Sequence, residues 1–180
     1  MIICAGNNET FDFAQPMGIG LIETAMNLTR LCLFDKPEFL LFVGSAGSYG
    51  NHKIFDIIES KTASNIELSF LNGDAYTPLD NVISTNTTNK KETIVNSSNY
   101  ISTNQELSEK FLNIGIGIEN MEFFSVLKVA QEFNIPAGGV FCITNYTNKN
   151  AHEDFLKNHE KAKELLSVHV KTRIKELTTR

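Results

Sequence analysis

Apolar residues along the chain alternate between short continuous runs and longer stretches in which they recur every three or four positions. The continuous runs at 1–5, 39–43 and 137–143 are typical of strands buried on both faces of a sheet. The stretches with helical spacing lie at 18–34, 104–113, 122–133 and 150–177. This alternation predicts an α/β fold, a three-layer sandwich whose mixed, mostly parallel central sheet is flanked by helices.

The helix patterns also predict which side chains face the core. In the first helix the expected apolar face consists of Leu21, Ile22, Ala25, Met26 and Thr29. In the helix at 122–133 it consists of Phe123, Val126, Leu127 and Ala130. Weaker patterns predict strands at 54–58, 62–70, 93–96 and 114–118. No repeat or second pattern interrupts the chain, so a single domain is expected over 1–180.

Composition excludes several classes of function. The chain has 180 residues, 42% of them hydrophobic, which is enough for a buried core. Its net charge is −5 and its adjacent basic residues are limited to Lys90-Lys91, so nucleic acid is not an expected partner. No apolar run approaches the ~20 residues of a membrane span, and no signal peptide is evident. Three scattered cysteines and four scattered histidines predict a cytoplasmic protein without disulfides or a metal site.

Ligands of such sheets bind beyond the carboxyl ends of the strands, which directs attention to the segments 44–50, 119–122 and 144–148. The first of these, GSAGSYG, is rich in small residues whose backbone N–H groups could bind an anion, or it could be a tight turn between strands. Gly18-Ile19-Gly20, before the first helix, could likewise direct N–H groups at an anion or simply allow close packing.

The two remaining segments carry polar side chains. Glu122 lies at a strand-to-helix junction, where its carboxylate could accept hydrogen bonds from a diol such as ribose or simply interact with the helix dipole. Thr144 and Asn145 follow the last apolar run. The Asn145 amide could pair with the donor-acceptor edge of a heterocycle, or it could cap a turn.

Four stretches of the sequence resemble the nucleoside phosphorylase family, which includes the purine nucleoside phosphorylases and the methylthioadenosine/adenosylhomocysteine nucleosidases. They are GIGLIETAMNLTRL, KPEFLLFVGSAGS, NSSNYI and ENMEFFSVLKVAQEFNIPAGGVFCITN. The last is the most specific, because Met-Glu, a helix, Ile-Pro, a strand and a polar triplet recur at the family's spacing. The resemblance covers most of 17–155 and is patchy over 51–92.

The resemblance implies cleavage of the N-glycosidic bond of a purine ribonucleoside. By position, Glu122 would bind the ribose 2′- and 3′-hydroxyls, with Met121 against the sugar and Tyr100 stacked on the base. Ser45, Ala46 and Gly47 would line the site beside the nucleophile and the base. Thr144 and Asn145 would contact the purine, with Asn145 where many members have an Asp that protonates or hydrogen-bonds N7.

The sequence also departs from the family pattern. Asn145 cannot act as a general acid. The general-base Glu of the nucleosidases' GAMEEE segment aligns with Phe11, and Glu9 could replace it only with a shift. The phosphorylases bind phosphate with arginines, and Arg30, Arg173 and Arg180 all lie outside the segments singled out above. The region between Gly6 and Gly18 is shorter than in the family.

Three hypotheses follow. The leading one is a purine nucleoside phosphorylase, a pentosyltransferase of purine salvage that prefers 6-oxopurines, uses inorganic phosphate lodged against 44–48 and needs no cofactor. The second is a purine nucleosidase that uses water, with Glu9 as the base. The third is a catalytically weak nucleoside-binding protein. The resemblance also implies a homo-oligomer, a dimer or a multiple of dimers.

Overall fold

The structure is a computed structural model, and it describes residues 1–87 and 92–178. The Lys90-Lys91 pair and Arg180 lie outside these residues. Within them, nine strands and five helices follow one another along the chain. The strands are β1 Ile2–Cys4, β2 Gln15–Pro16, β3 Leu40–Ser48, β4 Ile57–Ser60, β5 Thr62–Ser64, β6 Val82–Ser84, β7 Ile94–Ser97, β8 Ile116–Asn120 and β9 Ala137–Tyr146. The helices are α1 Gly20–Asp35, α2 Leu68–Leu71, α3 Gln105–Asn113, α4 Phe123–Glu132 and α5 Ala151–Thr178.

All the strands belong to one mixed sheet, which confirms the predicted fold class. The order β2-β1-β3-β8-β7-β5-β6 forms the main path, and β9 lies between β3 and β4. The pairs β1–β2, β1–β3, β3–β9, β5–β7 and β7–β8 are parallel, whereas β3–β8, β4–β9 and β5–β6 are antiparallel. Strand β3 is central because it pairs with three neighbours.

Side chains that alternate along the two central strands separate the layers. Phe42 and Phe141 face α1 and α4, and their rings pack around Phe123 at centroid distances of 6.3 and 5.0 Å. Val43 and Cys142 face the opposite side and pack under α5. Both faces of these strands are therefore covered, which explains why their sequences are apolar at successive positions.

Several element boundaries differ from those predicted. β3 and β9 continue to Ser48 and Tyr146, beyond the apolar runs, because their small and polar residues stay paired with each other. β8 begins two residues later than expected, since Gly115 precedes it at φ +85°. The expected strand at 62–70 ends at Ser64 and is followed by α2, and β6 falls in a segment that was predicted to be loop.

The predicted core face of α1 is also wrong in part. Ile22 and Met26 are 67% and 62% exposed, and Thr24, Leu28 and Leu31 are buried instead. Apolar residues cover more than half of the circumference of this helix, so spacing alone could not decide which side packs on α4. The face predicted for α4 is confirmed, because all four of its residues are buried.

The described part of the chain has neither a membrane-spanning helix nor a cluster of metal ligands. None of its helices combines the length and hydropathy that crossing a bilayer requires. Nor do the described residues contain a group of three histidine, cysteine or acidic side chains that could hold a metal ion.

Candidate active site

A cavity of about 260 Å³ opens near the carboxyl ends of β3 and β9, beside the β8–α4 junction. All the predicted site residues except Thr144 line it, namely Ser45, Ala46, Gly47, Tyr100, Met121, Glu122 and Asn145. The remaining lining includes the turn at 6–9, Ile101, Glu119, and the first turns of α5 with His152 and Phe155. The fold therefore brings residues from seven separated stretches of the chain to one concave surface.

Glu122 is buried at the start of α4 and accepts a hydrogen bond from the Gly20 N–H at 2.9 Å. The N–H groups of Gly18-Ile19-Gly20 are thus taken up within the protein, by the Ala5 carbonyl and by the Glu23 and Glu122 carboxylates respectively. Burial, helped by the nearby charge of Glu9 and opposed by the Gly20 hydrogen bond, raises the pKa of Glu122 to about 7. A carboxyl group with such a pKa changes its charge near neutrality, as acid–base residues of active sites commonly do.

The backbone around Glu122 is fixed by Asn120. Its side-chain oxygen accepts hydrogen bonds from the N–H groups of Glu122 and Phe123, at 2.9 and 3.0 Å, which fixes the backbone where α4 begins. Its amide donates to the Ser45 carbonyl at 3.1 Å, which ties β8 to β3. Asn120 therefore sets the position of Glu122 relative to the small residues of β3.

The Glu9 side chain lines the cavity, although the ungapped alignment with the nucleosidases places Phe11 at the general-base position. The turn at 6–9 reverses the chain through Gly6 at φ +98° and Asn7 at φ +57°, and the Glu9 N–H donates to the Gly6 carbonyl at 3.0 Å. Phe11 instead packs under α5. The Gly-Asn-Asn sequence is typical of a tight turn, and this was the available signal for a shifted Glu.

The prediction of a loop with free N–H groups at 44–50 is wrong. Residues 44–48 belong to β3, and the Ser45 N–H donates to the Glu9 carboxylate at 3.0 Å. The Ser45 hydroxyl also donates to Glu9. The small residues make room for neighbouring side chains, since a Cβ at Gly44 would lie 3.2 Å from a Glu9 oxygen and one at Gly47 3.0 Å from the Asn145 amide.

Asn145 lies near the end of β9, paired with Gly47 of β3. Its side-chain oxygen accepts a hydrogen bond from the Thr144 hydroxyl at 2.9 Å, and its amide donates to the Tyr146 carbonyl at 3.3 Å. Thr144 is fully buried and is absent from the cavity lining, so it does not contact the cavity as predicted. The Thr144 hydroxyl instead holds the Asn145 side chain by donating to its oxygen.

Tyr100 and Ile101 form an exposed rim on the segment 98–102, and Tyr100 is 85% exposed. Glu119 holds this segment by accepting from the Ser102 N–H at 2.9 Å and the Ser102 hydroxyl at 2.6 Å. Tyr49 donates to the same carboxyl group at 2.9 Å, and burial raises the pKa of Glu119. No sequence pattern indicated this contact.

Acidic side chains predominate among the ionisable groups that line the cavity. Three carboxyl groups line it, those of Glu9, Glu119 and Glu122. No lysine or arginine is among the lining residues in the part of the chain that the structure describes. The site therefore suits a neutral ligand or one that develops positive charge better than it suits an anion.

Comparisons with known proteins agree with this architecture. The family model described as phosphorylase superfamily matches residues 90–175. A mutant of the Helicobacter pylori 5′-methylthioadenosine nucleosidase with 5′-methylthioadenosine in the active site has a TM-score of 0.78 at 21% identity, covering 91% of this chain and 79% of that one. The native futalosine hydrolase of the same organism also scores 0.78 at 21% identity, with coverages of 91% and 78%.

A third structure, the 5′-methylthioadenosine/S-adenosylhomocysteine nucleosidase of S. pneumoniae with a transition-state inhibitor, has a TM-score of 0.74 at 12% identity and coverages of 92% and 94%. No curated protein sequence matches the chain. The family match and the shared fold confirm the resemblance to the nucleoside phosphorylase family. The members of that family cleave N-glycosidic bonds, as nucleosidases or as phosphorylases.

Proposed function

We propose that this protein is a purine nucleosidase that hydrolyses the N-glycosidic bond of a purine ribonucleoside. The observation that carries the proposal is the Glu9 carboxylate at the cavity wall, held by the N–H and the hydroxyl of Ser45. A carboxylate at this point can accept a proton from water. In the sequence, the nucleosidase hypothesis required Glu9 to take the general-base position, and a Glu9 carboxylate at the cavity wall supports that hypothesis.

Three side chains act in the proposed reaction, namely Glu9, Glu122 and Asn145. Water attacks the anomeric carbon of ribose while Glu9 takes its proton, and the bond to the purine nitrogen breaks with its electron pair leaving on the base. Glu122 accepts hydrogen bonds from the ribose hydroxyls, and its negative charge stabilises the developing oxocarbenium ion. The Asn145 amide donates a hydrogen bond to the departing purine. The products are free ribose and a purine anion; the anion takes a proton from solvent, and Glu9 returns its proton to solvent before the next turnover.

The same observation argues against phosphorolysis, which the sequence had favoured. The Ser45 N–H expected to bind phosphate already donates to Glu9. A phosphate beside Glu9 would meet a like charge, and two unit charges ~4 Å apart repel by about 4 kcal/mol at an effective dielectric constant of 20. No lysine or arginine lines the cavity in the described part of the chain to offset this repulsion.

Release of hypoxanthine from inosine, measured with and without phosphate, tests the proposal. We expect the rate to be the same in phosphate-free buffer and at millimolar phosphate, because water is the nucleophile. Release that requires phosphate would support the phosphorylase instead. Inosine binding without any release would support the nucleoside-binding protein and would overturn the proposed function.

Base preference depends on Asn145. Because the Thr144 hydroxyl engages its oxygen and the Tyr146 carbonyl takes one N–H, the amide has one N–H left to donate, which matches the O6 acceptor of a 6-oxopurine. The 6-amino group of adenine would oppose it, and a mispaired buried group costs about 1–3 kcal/mol. We expect wild type to prefer inosine to adenosine by about ten- to hundredfold, and Asn145→Asp to shift the ratio towards adenosine.

Steady-state rates on both nucleosides check this expectation. Asn51→Asp, an exposed substitution of the same type, is the control and should leave the ratio unchanged. Equal use of the two nucleosides by wild type, or an unchanged ratio in Asn145→Asp, would contradict the role assigned to Asn145. The homo-oligomer, the cytoplasmic location and the role in purine salvage stay predictions of the resemblance.

A further inference from the structure

One histidine outside the cavity lining contacts the turn that carries Glu9. His159 lies on α5 and is 8% exposed, and its Nε2 is 2.9 Å from the carbonyl oxygen of Asn8. A carbonyl oxygen can only accept, so Nε2 carries the proton and donates. The Glu160 carboxylate is 3.6 Å from the same nitrogen and largely exposed, too far for a hydrogen bond.

This hydrogen bond holds the tip of a short and exposed turn. Asn7 and Asn8 are exposed, while Glu9 directly follows them and points to Ser45. Within the turn, the Glu9 N–H bonds the Gly6 carbonyl. His159 adds a contact from a long helix that packs on the central sheet, and it therefore fixes the turn relative to β3.

The surroundings of His159 indicate that its imidazole serves to donate the hydrogen bond to the Asn8 carbonyl. Its Nδ1 is buried and has no hydrogen-bond partner among the described residues, which is uncommon for a buried polar atom. The ring packs against Phe155 at a centroid distance of 5.0 Å. A phenyl ring would fill this space without an unpaired nitrogen, but it could not donate to Asn8.

We propose that His159 is a positioning residue for Glu9, holding the turn at 6–9 so that the Glu9 carboxylate stays on Ser45. This inference rests on the proposed hydrolytic role of Glu9. Since Glu9 acts on water and Glu122 holds the ribose, loosening the turn lowers kcat and leaves KM nearly unchanged. Small misplacements of a catalytic group reduce rates by up to about a hundredfold.

The test compares three variants of the full chain with wild type. His159→Phe removes the donor and keeps an aromatic ring, and we expect kcat for inosine hydrolysis to fall about tenfold or more with KM within twofold. His159→Gln returns a donor and restores at least part of the rate. His169→Phe is the matched control, because His169 is on the same helix and makes its own 2.9 Å hydrogen bond to Glu59.

A second readout does not need turnover. The Ser45 amide is protected by Glu9, so its hydrogen exchange should speed up in His159→Phe relative to other β3 amides, and should not do so in His169→Phe. Unchanged kcat and unchanged Ser45 exchange in His159→Phe would overturn the inference. Loss of rate with uniformly faster exchange along β3 would also overturn it, by indicating general destabilisation.

The variant Glu9→Gln separates this inference from the proposed function. If Glu9→Gln turns over inosine like wild type, the hydrolytic role of Glu9 fails. If Glu9→Gln is inactive while His159→Phe matches wild type in rate and in Ser45 exchange, only the positioning role fails.

Discussion

Replacing Glu9 with Gln is expected to lower kcat for inosine hydrolysis by about a thousandfold. General-base catalysis contributes roughly 10²–10⁴ in rate, and an amide cannot accept the proton of the attacking water. The Gln oxygen can still accept from the Ser45 N–H, so the strand and the turn should remain in place. Steady-state kinetics and thermal unfolding of the same samples measure both effects.

Glu109→Gln serves as the control, because Glu109 is exposed on α3 and absent from the cavity lining. It should match wild type in rate. A Glu9→Gln protein that keeps its fold and turns over within threefold of wild type would show that another group activates water. The Glu9 substitution should also lower the pKa of Glu122, since the Glu9 charge is one cause of its elevation.

Replacing Glu122 with Gln is expected to lower kcat/KM by about a hundredfold or more, because a neutral amide stabilises a developing cationic ribose poorly. In wild type the group must be ionised to act, and its pKa is about 7. We therefore expect kcat/KM to rise with pH through about 7. This limb of the pH profile should be missing in Glu122→Gln.

The same substitution should raise stability at high pH. The pKa of Glu122 is raised from 4.5 in the unfolded chain to about 7 in the folded one, so its favourable contribution is present below 4.5 and is lost as pH rises through 7. Relative to wild type, Glu122→Gln should gain on the order of 3 kcal/mol in free energy of unfolding at pH 8 compared with pH 4.

Thermal or urea unfolding at the two pH values measures this difference. Glu132→Gln, an exposed substitution at the other end of α4, should show no such pH-dependent gain. Unchanged activity in Glu122→Gln would remove this residue from the site. Equal stability differences at both pH values would contradict its buried, proton-linked state.

The fold was predictable because apolar runs and helical spacing reflect burial directly. The run at 39–43 was identified as a strand covered on both faces, and Phe42 and Val43 do pack on opposite layers. The ends of β3 and β9 were not predictable in this way. Gly44 and Ser45 are typical of a loop in sequence, yet they continue β3, and the Glu9 carboxylate lies against both of them.

The lining of the cavity was predictable where its residues follow apolar strand patterns, but not where a turn sets the register of the chain. Glu122 and Asn145 were singled out because they follow apolar strand patterns in the sequence, and both line the cavity. Glu9 was assigned only as an alternative, since an ungapped alignment cannot register a tight turn built on Gly6 and Asn7. The contacts from His159 to Asn8 and from Glu119 to Ser102 join distant parts of the chain, and no local pattern indicates them.

The central claim is that water, not phosphate, attacks the anomeric carbon of the ribose. The most direct test is ³¹P NMR of a reaction in which inosine is consumed completely in buffer with excess phosphate. The account predicts free ribose as the sugar product and an inorganic phosphate signal that does not change. A new phosphate-ester signal from ribose 1-phosphate, growing in proportion to hypoxanthine, would contradict it.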